Sequence, residues 1–297
     1  DKKSLAGAWV EAARPRTLPA SVSPVLLGCA LAYYDGMFDI TPAVLCLLVA
    51  LFAQIASNFA NDYFDFKKGA DREDRLGPER AVAEGWITPK AMLTGTFITL
   101  GLACAAGLLL VCFADWRLIG VGIAIAICVL AYSAGPFPLA YNGLGDVCVL
   151  LFYGVIPVCF TYYIQTLNFS LLSFLLSVAL GLLSVNILIV NNYRDYEQDK
   201  AARKRTTIVL FGRRAGRVFY VLNECMAFLL VLPLILDAPW WILFLFGILF
   251  ALCFYTTREL LTLEGRALNR TLGHTARNVF LFAAVLSLLF VYVGSSL

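Results

Sequence analysis

Apolar residues in this chain run in long unbroken blocks, without the alternation of half-buried strands. Stretches free of Asp, Glu, Lys and Arg cover residues 17–34, 40–61, 91–114, 118–145, 147–193, 238–257 and 278–297. A helix needs about 20 mostly apolar residues to cross a bilayer. Continuous apolarity argues for such helices over barrel strands. The block 147–193 has room for two crossings, with a polar hinge near Gln165–Asn168. The pattern predicts nine helices, at roughly Leu18–Tyr34, Pro42–Ala60, Met92–Phe113, Leu118–Ala134, Leu144–Ile164, Leu171–Val190, Val218–Leu236, Trp240–Thr256 and Val279–Val293.

Composition sharpens this. Hydrophobic residues make up 61% and charged residues 14% of the 297 positions, against about 45–50% and ~25% in soluble domains. A soluble fold is excluded, and one polytopic all-α membrane domain over 1–297 remains. Of the 23 Lys and Arg, all but Arg117 fall in four segments: before helix 1, and after helices 2, 6 and 8. With nine helices these segments share one face, cytoplasmic by the positive-inside rule. The N-terminus is then expected inside and the C-terminus outside. The net charge of +3 reflects this topology and implies no nucleic-acid partner. The nine Cys lie in or beside apolar blocks without CxxC spacing, so neither disulfides nor a thiolate metal site is expected. The sole histidine, His274, reads as a surface residue.

Two of the basic segments are also acidic, and they form cytoplasmic caps at about 62–90 and 191–217. The first carries Asn58, Asn61, Asp62, Asp65, Asp71, Glu73 and Asp74; the second carries Asn191, Asn192, Asp195, Glu197 and Asp199. Asn58 and Asp62 are four residues apart, Asp62 and Asp65 three, and Asp195 and Asp199 four, so each pair shares a helix face. Like charges at the end of a membrane helix are costly unless a cation neutralises them. Hard oxygen ligands suit Mg²⁺, which binds through one or two carboxylates plus substrate phosphate oxygens. Lys67, Lys68, Arg72 and Arg75 follow the first cluster, and Arg203, Lys204 and Arg205 the second. Carboxylates, metal and basic side chains together suit a departing diphosphate. The recurrence of such clusters four helices apart suggests that helices 1–4 and 5–8 are distant repeats with one site between them. On residues alone, divalent-cation transport and phosphatidyl transfer also use acidic clusters. Transport needs polar residues at mid-membrane and an exit on the far face, where the loops here are nearly bare. Phosphatidyl transfer usually keeps its acids in one segment.

Asn58-x-x-x-Asp62 within Asn61-Asp62-x-x-Asp65, paired with Asp195-x-x-x-Asp199, resembles the two aspartate-rich motifs of the intramembrane aromatic (UbiA) prenyltransferase superfamily. Arg14-Pro-Arg-Thr-Leu-Pro19, the run Asn61 to Pro78, Tyr132-Ser-Ala-Gly-Pro136, Gly143-Leu-Gly-Asp146 and Asn191-Asn-Tyr-Arg-Asp195 look like its 1,4-dihydroxy-2-naphthoate polyprenyltransferase branch. The similarity covers about residues 10–295. Gly69 stands where the wider superfamily has a third aspartate, and Arg203 where the branch usually has Gly.

The resemblance implies nine helices around a central cavity in a bacterial inner membrane, with the active site facing the cytoplasm. It implies transfer of a long polyprenyl group from its diphosphate to 1,4-dihydroxy-2-naphthoate with loss of CO₂, giving demethylmenaquinol. A 4-hydroxybenzoate, homogentisate or chlorin acceptor is the alternative within the superfamily. Asn58, Asp62 and Asp65 would hold one Mg²⁺, with Asp71 or Asp74 assisting; Asp195 and Asp199 would hold another. Lys68, Arg75, Lys204 and Arg205 would meet the diphosphate, with Lys204 counted among the catalytic groups. Arg194, Arg80, Asn191, Tyr132 and Asp146 would serve the aromatic substrate, with Arg14 and Arg16 as further carboxylate partners. Tyr132 above all, with Tyr63, Phe64, Phe137, Tyr141, Tyr153 and Tyr193, is an aromatic candidate to stabilise an allyl cation.

Overall fold

The structure is a computed structural model that describes residues 4–69 and 76–295. Every regular element among these residues is helical. The chain opens with α1 (Leu5–Ala13), capped by the Ser4 hydroxyl accepting from the Gly7 N–H. This short helix falls below the length the apolar blocks single out, and it docks through Trp9. The indole meets Phe59 edge-on at 5.2 Å and covers Gly95, where a Cβ would come within 2.8 Å of it.

The remaining helices follow as α2 (Leu18–Tyr34), α3 (Ile40–Lys67), α4 (Pro89–Leu110), α5 (Leu118–Ala131), α6 (Gly145–Leu150), α7 (Ile156–Thr166), α8 (Leu171–Arg194), α9 (Tyr196–Ala201), α10 (Thr207–Leu236), α11 (Trp240–Thr262) and α12 (Leu268–Gly294). A π turn, Leu151–Val155, joins α6 to α7. The polar hinge falls where expected: Leu167, at φ 55°, ends α7 and the Ser170 hydroxyl caps α8.

Among the described residues eight helical segments are long and apolar enough to cross a membrane, where the apolar pattern predicts nine. The difference is α5. Its 14 residues span about 21 Å, short of the ~30 Å apolar core. Gly135, at φ 85°, and Pro136 and Pro138 end the helix before the predicted Ala134. α5 nevertheless finds partners at both of its ends. Leu118 packs with Val25, Cys46, Leu110 and Ile164 at one end. At the other, the Ser133 carbonyl accepts from the Lys68 ammonium just beyond α3. Several helices outrun their apolar blocks: α3 reaches Lys67, α10 starts at Thr207 and α12 at Leu268. Asn58, Asp62 and Asp65 therefore sit on helix, not on loop.

α2, α8 and α12 form the interior, where Leu27, Leu180, Phe282 and Leu286 are almost fully buried. Where α8 crosses the π turn, backbones touch. A Cβ on Gly154 would lie 2.5 Å from Gly181 Cα and 2.6 Å from the Ser177 carbonyl. Small residues permit this approach between membrane helices. Gly154→Ala should therefore lower the melting temperature measured in detergent, at a cost of about 1–3 kcal/mol. Between α2, α3, α5, α7 and α8 lies a cavity of about 350 Å³.

Candidate active site

The cavity has a charged rim and an apolar shaft. Asp65, Arg80 and Lys204 lie at the rim, and Val25, Cys46, Leu110, Leu118 and Ile164 line the far end. Rim geometry begins with Asp65 on the last turn of α3. Its Oδ2 meets Arg80 Nη2 at 3.3 Å, and its Oδ1 accepts from the Tyr141 hydroxyl at 3.0 Å. The Tyr141 ring lies near two ammoniums, Lys68 at 4.6 Å and Lys204 at 5.4 Å from its centroid. Such contacts are each worth about 0.5–2 kcal/mol. Lys204 also pairs with Asp199 at 3.6 Å, and the Arg205 backbone N–H donates to the Tyr141 carbonyl at 3.0 Å. One tyrosine thus ties the first acidic segment, the 133–143 loop and the second acidic segment together.

Asp62, 2% exposed, accepts the backbone N–H groups of Ala81 and Val82 at 3.1 and 3.3 Å. This clamp folds the 80–85 turn back onto α3 and brings Arg80 to Asp65. In the second segment Asp195 grips Arg194 in a bidentate pair at 2.6 and 2.7 Å. Arg194 donates further to Asn191 Oδ1 at 2.8 Å and Asn269 Oδ1 at 2.6 Å. Its side chain is 1% exposed. Asn269 in turn donates to the Leu76 carbonyl at 2.9 Å, tying α12 to the first cap.

Burial pushes the Asp199 carboxyl up to about 6; Lys204 opposes the rise, and Asp195 and Asp65 add to it. The carboxylates of the two segments therefore sense one another. Lys68 titrates below its ordinary range because it is partly buried, with Asp65 opposing and Lys204 reinforcing the shift.

Among the described residues no three Asp, Glu, His or Cys side chains gather around a common metal position. The donor chemistry nevertheless fits a hard divalent cation. Asp199 Oδ2 is buried with no hydrogen-bond partner, as is Asn61 Oδ1 on the cavity wall. Each segment thus holds one unsatisfied oxygen, an amide in the first and a carboxylate in the second.

The remaining expected residues divide into four groups. Asn58, Asn191, Tyr132 and Asp146 line the cavity with Asp65, Arg80 and Lys204. Asp62, Asp195, Asp199 and Arg194 lie behind the wall, and the Arg205 side chain is exposed. Asp71, Asp74 and Arg75 lie outside the described residues. Arg203 adopts φ 55°, the left-handed conformation glycine favours, which accounts for the Gly of the pattern and not for the Arg that replaces it. Arg203→Gly should keep activity within about twofold and not lower the melting temperature, since the strain relieved is about 1–2 kcal/mol. A large loss of activity would assign the guanidinium a chemical role. His274 is half-buried and its Nδ1 meets Glu259 Oε2 at 2.7 Å, where a surface residue was expected.

Sequence reasoning passed over Gln54. It is buried on the cavity wall one turn before Asn58. Its signal was available: a long amide in the middle of the apolar block 40–61 is costly in a membrane helix unless it serves a site.

Comparison with known proteins agrees with this architecture. The pattern of the UbiA prenyltransferase family matches residues 21–274. The 1,4-dihydroxy-2-naphthoate octaprenyltransferase of Haemophilus influenzae is 38% identical over 220 residues, covering 71% of each chain. That of Mycobacterium tuberculosis is 37% identical over 235 residues, covering 78% of this chain and 79% of the relative. The UbiA prenyltransferase domain-containing protein 1 of Danio rerio is 31% identical over 234 residues, 77% of this chain and 69% of the relative. Among solved structures, a UbiA homolog from Archaeoglobus fulgidus bound to GPP and Mg²⁺ superposes with a TM-score of 0.69 over 97% of this chain and 98% of that one, at 19% identity. A digeranylgeranylglyceryl phosphate synthase gives 0.59 over 99% of each chain at 20% identity. Fold and sequence together define a polytopic intramembrane prenyltransferase. The chain belongs to the UbiA prenyltransferase family.

Proposed function

We propose that the protein transfers a long polyprenyl group from its diphosphate to 1,4-dihydroxy-2-naphthoate, releasing diphosphate and CO₂ and forming demethylmenaquinol with Mg²⁺ as cofactor. The observation that carries this reading is a cavity joining a rim of carboxylates and ammoniums to an apolar shaft. The names of the curated relatives support the acceptor.

Asn58, Asp62 and Asp65 on one side, with Asp195 and Asp199 on the other, are the residues that would hold Mg²⁺. Bound there, the metal supplies positive charge against the diphosphate as it departs. Lys204, Lys68 and Arg80 stand at the rim to meet the remaining phosphate oxygens. The faces of Tyr132, Tyr141 and Tyr153 offer electron density to an allyl cation. The apolar shaft keeps water from quenching it. The electron pair of the departing CO₂ returns to the ring, so no net proton leaves, and Asp146, on the wall, would serve as a hydrogen-bond partner of the acceptor.

A cavity of about 350 Å³ lies at the low end of pockets for drug-sized ligands, ~300–1,000 Å³. A forty-carbon tail exceeds it, so the tail leaves the bundle sideways into lipid. The basic segments face the cytoplasm of a bacterial inner membrane, putting the N-terminus inside and the C-terminus outside.

The test is purified protein in nanodiscs with Mg²⁺, a polyprenyl diphosphate and either 1,4-dihydroxy-2-naphthoate or 4-hydroxybenzoate, with products weighed by mass spectrometry. A decarboxylated prenyl-naphthoquinol is expected from naphthoate alone. Product from hydroxybenzoate alone would overturn the acceptor, and no product from well-folded protein would overturn the reading.

A further inference from the structure

Beneath the rim the cavity wall carries a polar patch that neither a diphosphate nor a polyprenyl tail requires. Gln54 is its centre, about three turns along α3 from Asp65 and 8% exposed. Its Oε1 accepts from the Ser21 hydroxyl of α2 at 3.1 Å and from the Tyr153 hydroxyl of the π turn. Its Nε2 faces the Thr17 hydroxyl and Asn58 Oδ1, both at 3.4 Å, which is long for an N–H donor. Arg14 lines the same cavity. Its backbone is held at φ 53°, with the Thr17 N–H and hydroxyl both donating to its carbonyl at 2.9 Å. Left-handed backbone at a non-glycine residue costs about 1–2 kcal/mol and persists where surrounding structure imposes it, often at ligand sites.

Polar side chains at membrane depth are costly and mark substrate sites when they face a cavity. The tail offers nothing to hydrogen-bond, and the diphosphate is served by the lysines above. A planar aromatic acid is the remaining ligand class for such a wall. Its hydroxyls need a donor and an acceptor, which Gln54 and Tyr153 present, and its carboxylate needs a cation, which Arg14 presents. Arg194, the guanidinium the sequence favours for that role, lies behind the wall. We infer that Gln54, Tyr153 and Arg14 form the acceptor subsite, which takes a hydroxylated aromatic carboxylate, with Gln54 setting its specificity. The inference rests on the proposed prenyl transfer and names where its second substrate sits. A site built to hydrogen-bond a substrate hydroxyl discriminates strongly, because its own polar groups go unpaired with the wrong ligand.

Gln54→Met and Tyr153→Phe keep the length or shape of each side chain and remove its polar group. Binding of 1-hydroxy-2-naphthoate is measured calorimetrically in nanodiscs without a prenyl donor, and KM for each substrate is measured separately. The dissociation constant for hydroxynaphthoate and the KM for 1,4-dihydroxy-2-naphthoate should rise about tenfold or more in both variants. The KM for the polyprenyl diphosphate should stay within about twofold. Arg14→Gln should weaken hydroxynaphthoate more than 1-naphthol, which lacks the carboxylate. An unchanged dissociation constant in both Gln54→Met and Tyr153→Phe, an equal rise in the KM for diphosphate, or no binding to the parent protein overturns the subsite. If the parent binds and the variants do not, the subsite stands even where no naphthoate is turned over, and it is the proposed reaction that fails.

Discussion

Asp62→Asn should lower kcat/KM about 1,000-fold, or about 4 kcal/mol of transition-state stabilisation, while the protein still folds and inserts. The carboxylate accepts two backbone N–H groups, from Ala81 and Val82. An asparagine keeps one acceptor and turns its NH₂ toward the other N–H, a local cost of about 1–3 kcal/mol. That is enough to loosen the 80–85 turn and too little to unfold the helical bundle of α1 to α12. The catalytic loss has a different origin. The variant removes a full negative charge from the first acidic segment, where the proposed metal would be held, and slackens the turn that delivers Arg80 to Asp65. Product formation by mass spectrometry and melting in detergent, run side by side, separate the two effects. Activity within tenfold of the parent would remove Asp62 from the metal assignment. Asp195→Asn should lose a similar factor but also melt earlier, because it takes the counter-charge from Arg194.

The largest effect on stability is expected at Arg194 itself. Arg194→Met would leave Asp195 as a carboxylate without its bidentate partner and strip hydrogen bonds from Asn191 and Asn269. Removing one member of a buried ion pair costs about 3–5 kcal/mol, and at about 2–4 °C per kcal/mol the melting temperature should fall by roughly 10 °C. The variant also separates two roles for this residue. If Arg194 holds the junction of α8, α9 and α12, whatever activity survives should show the parental KM for the aromatic acceptor. A rise of tenfold or more in that KM, with melting unchanged, would return Arg194 to the substrate site.

Hydrophobic blocks determined the all-helical membrane fold, because a bilayer leaves a continuously apolar chain no other hydrogen-bonded solution. They placed the helices, though not their charged ends: α10 and α12 extend a turn or more into the basic segments, where carbon stems of Arg and Lys snorkel. The spacing of Asn58, Asp62 and Asp65, and of Asp195 and Asp199, marked two acidic faces, because helical periodicity is local. Which carboxylate faces the cavity is not a local property. Asp65 reaches it and meets Tyr141, while Asp62 is turned to the 80–85 backbone, by contacts that no i, i+4 rule encodes; Asp195 pairs with its neighbour Arg194, which Asn269 of α12 holds in place. Tyr141 shows the same division. Its ring was legible as one aromatic among several, but its place between Asp65, Lys68 and Lys204 depends on three segments meeting. The sequence by itself determined the class of fold, the two acidic segments and the chemistry they suit, since these follow from apolar length and local spacing. Only the tertiary structure decided which polar groups line the cavity and which brace it. That choice depends on long-range packing, in which α2, α3 and the π turn bring Ser21, Gln54 and Tyr153 within hydrogen-bonding reach.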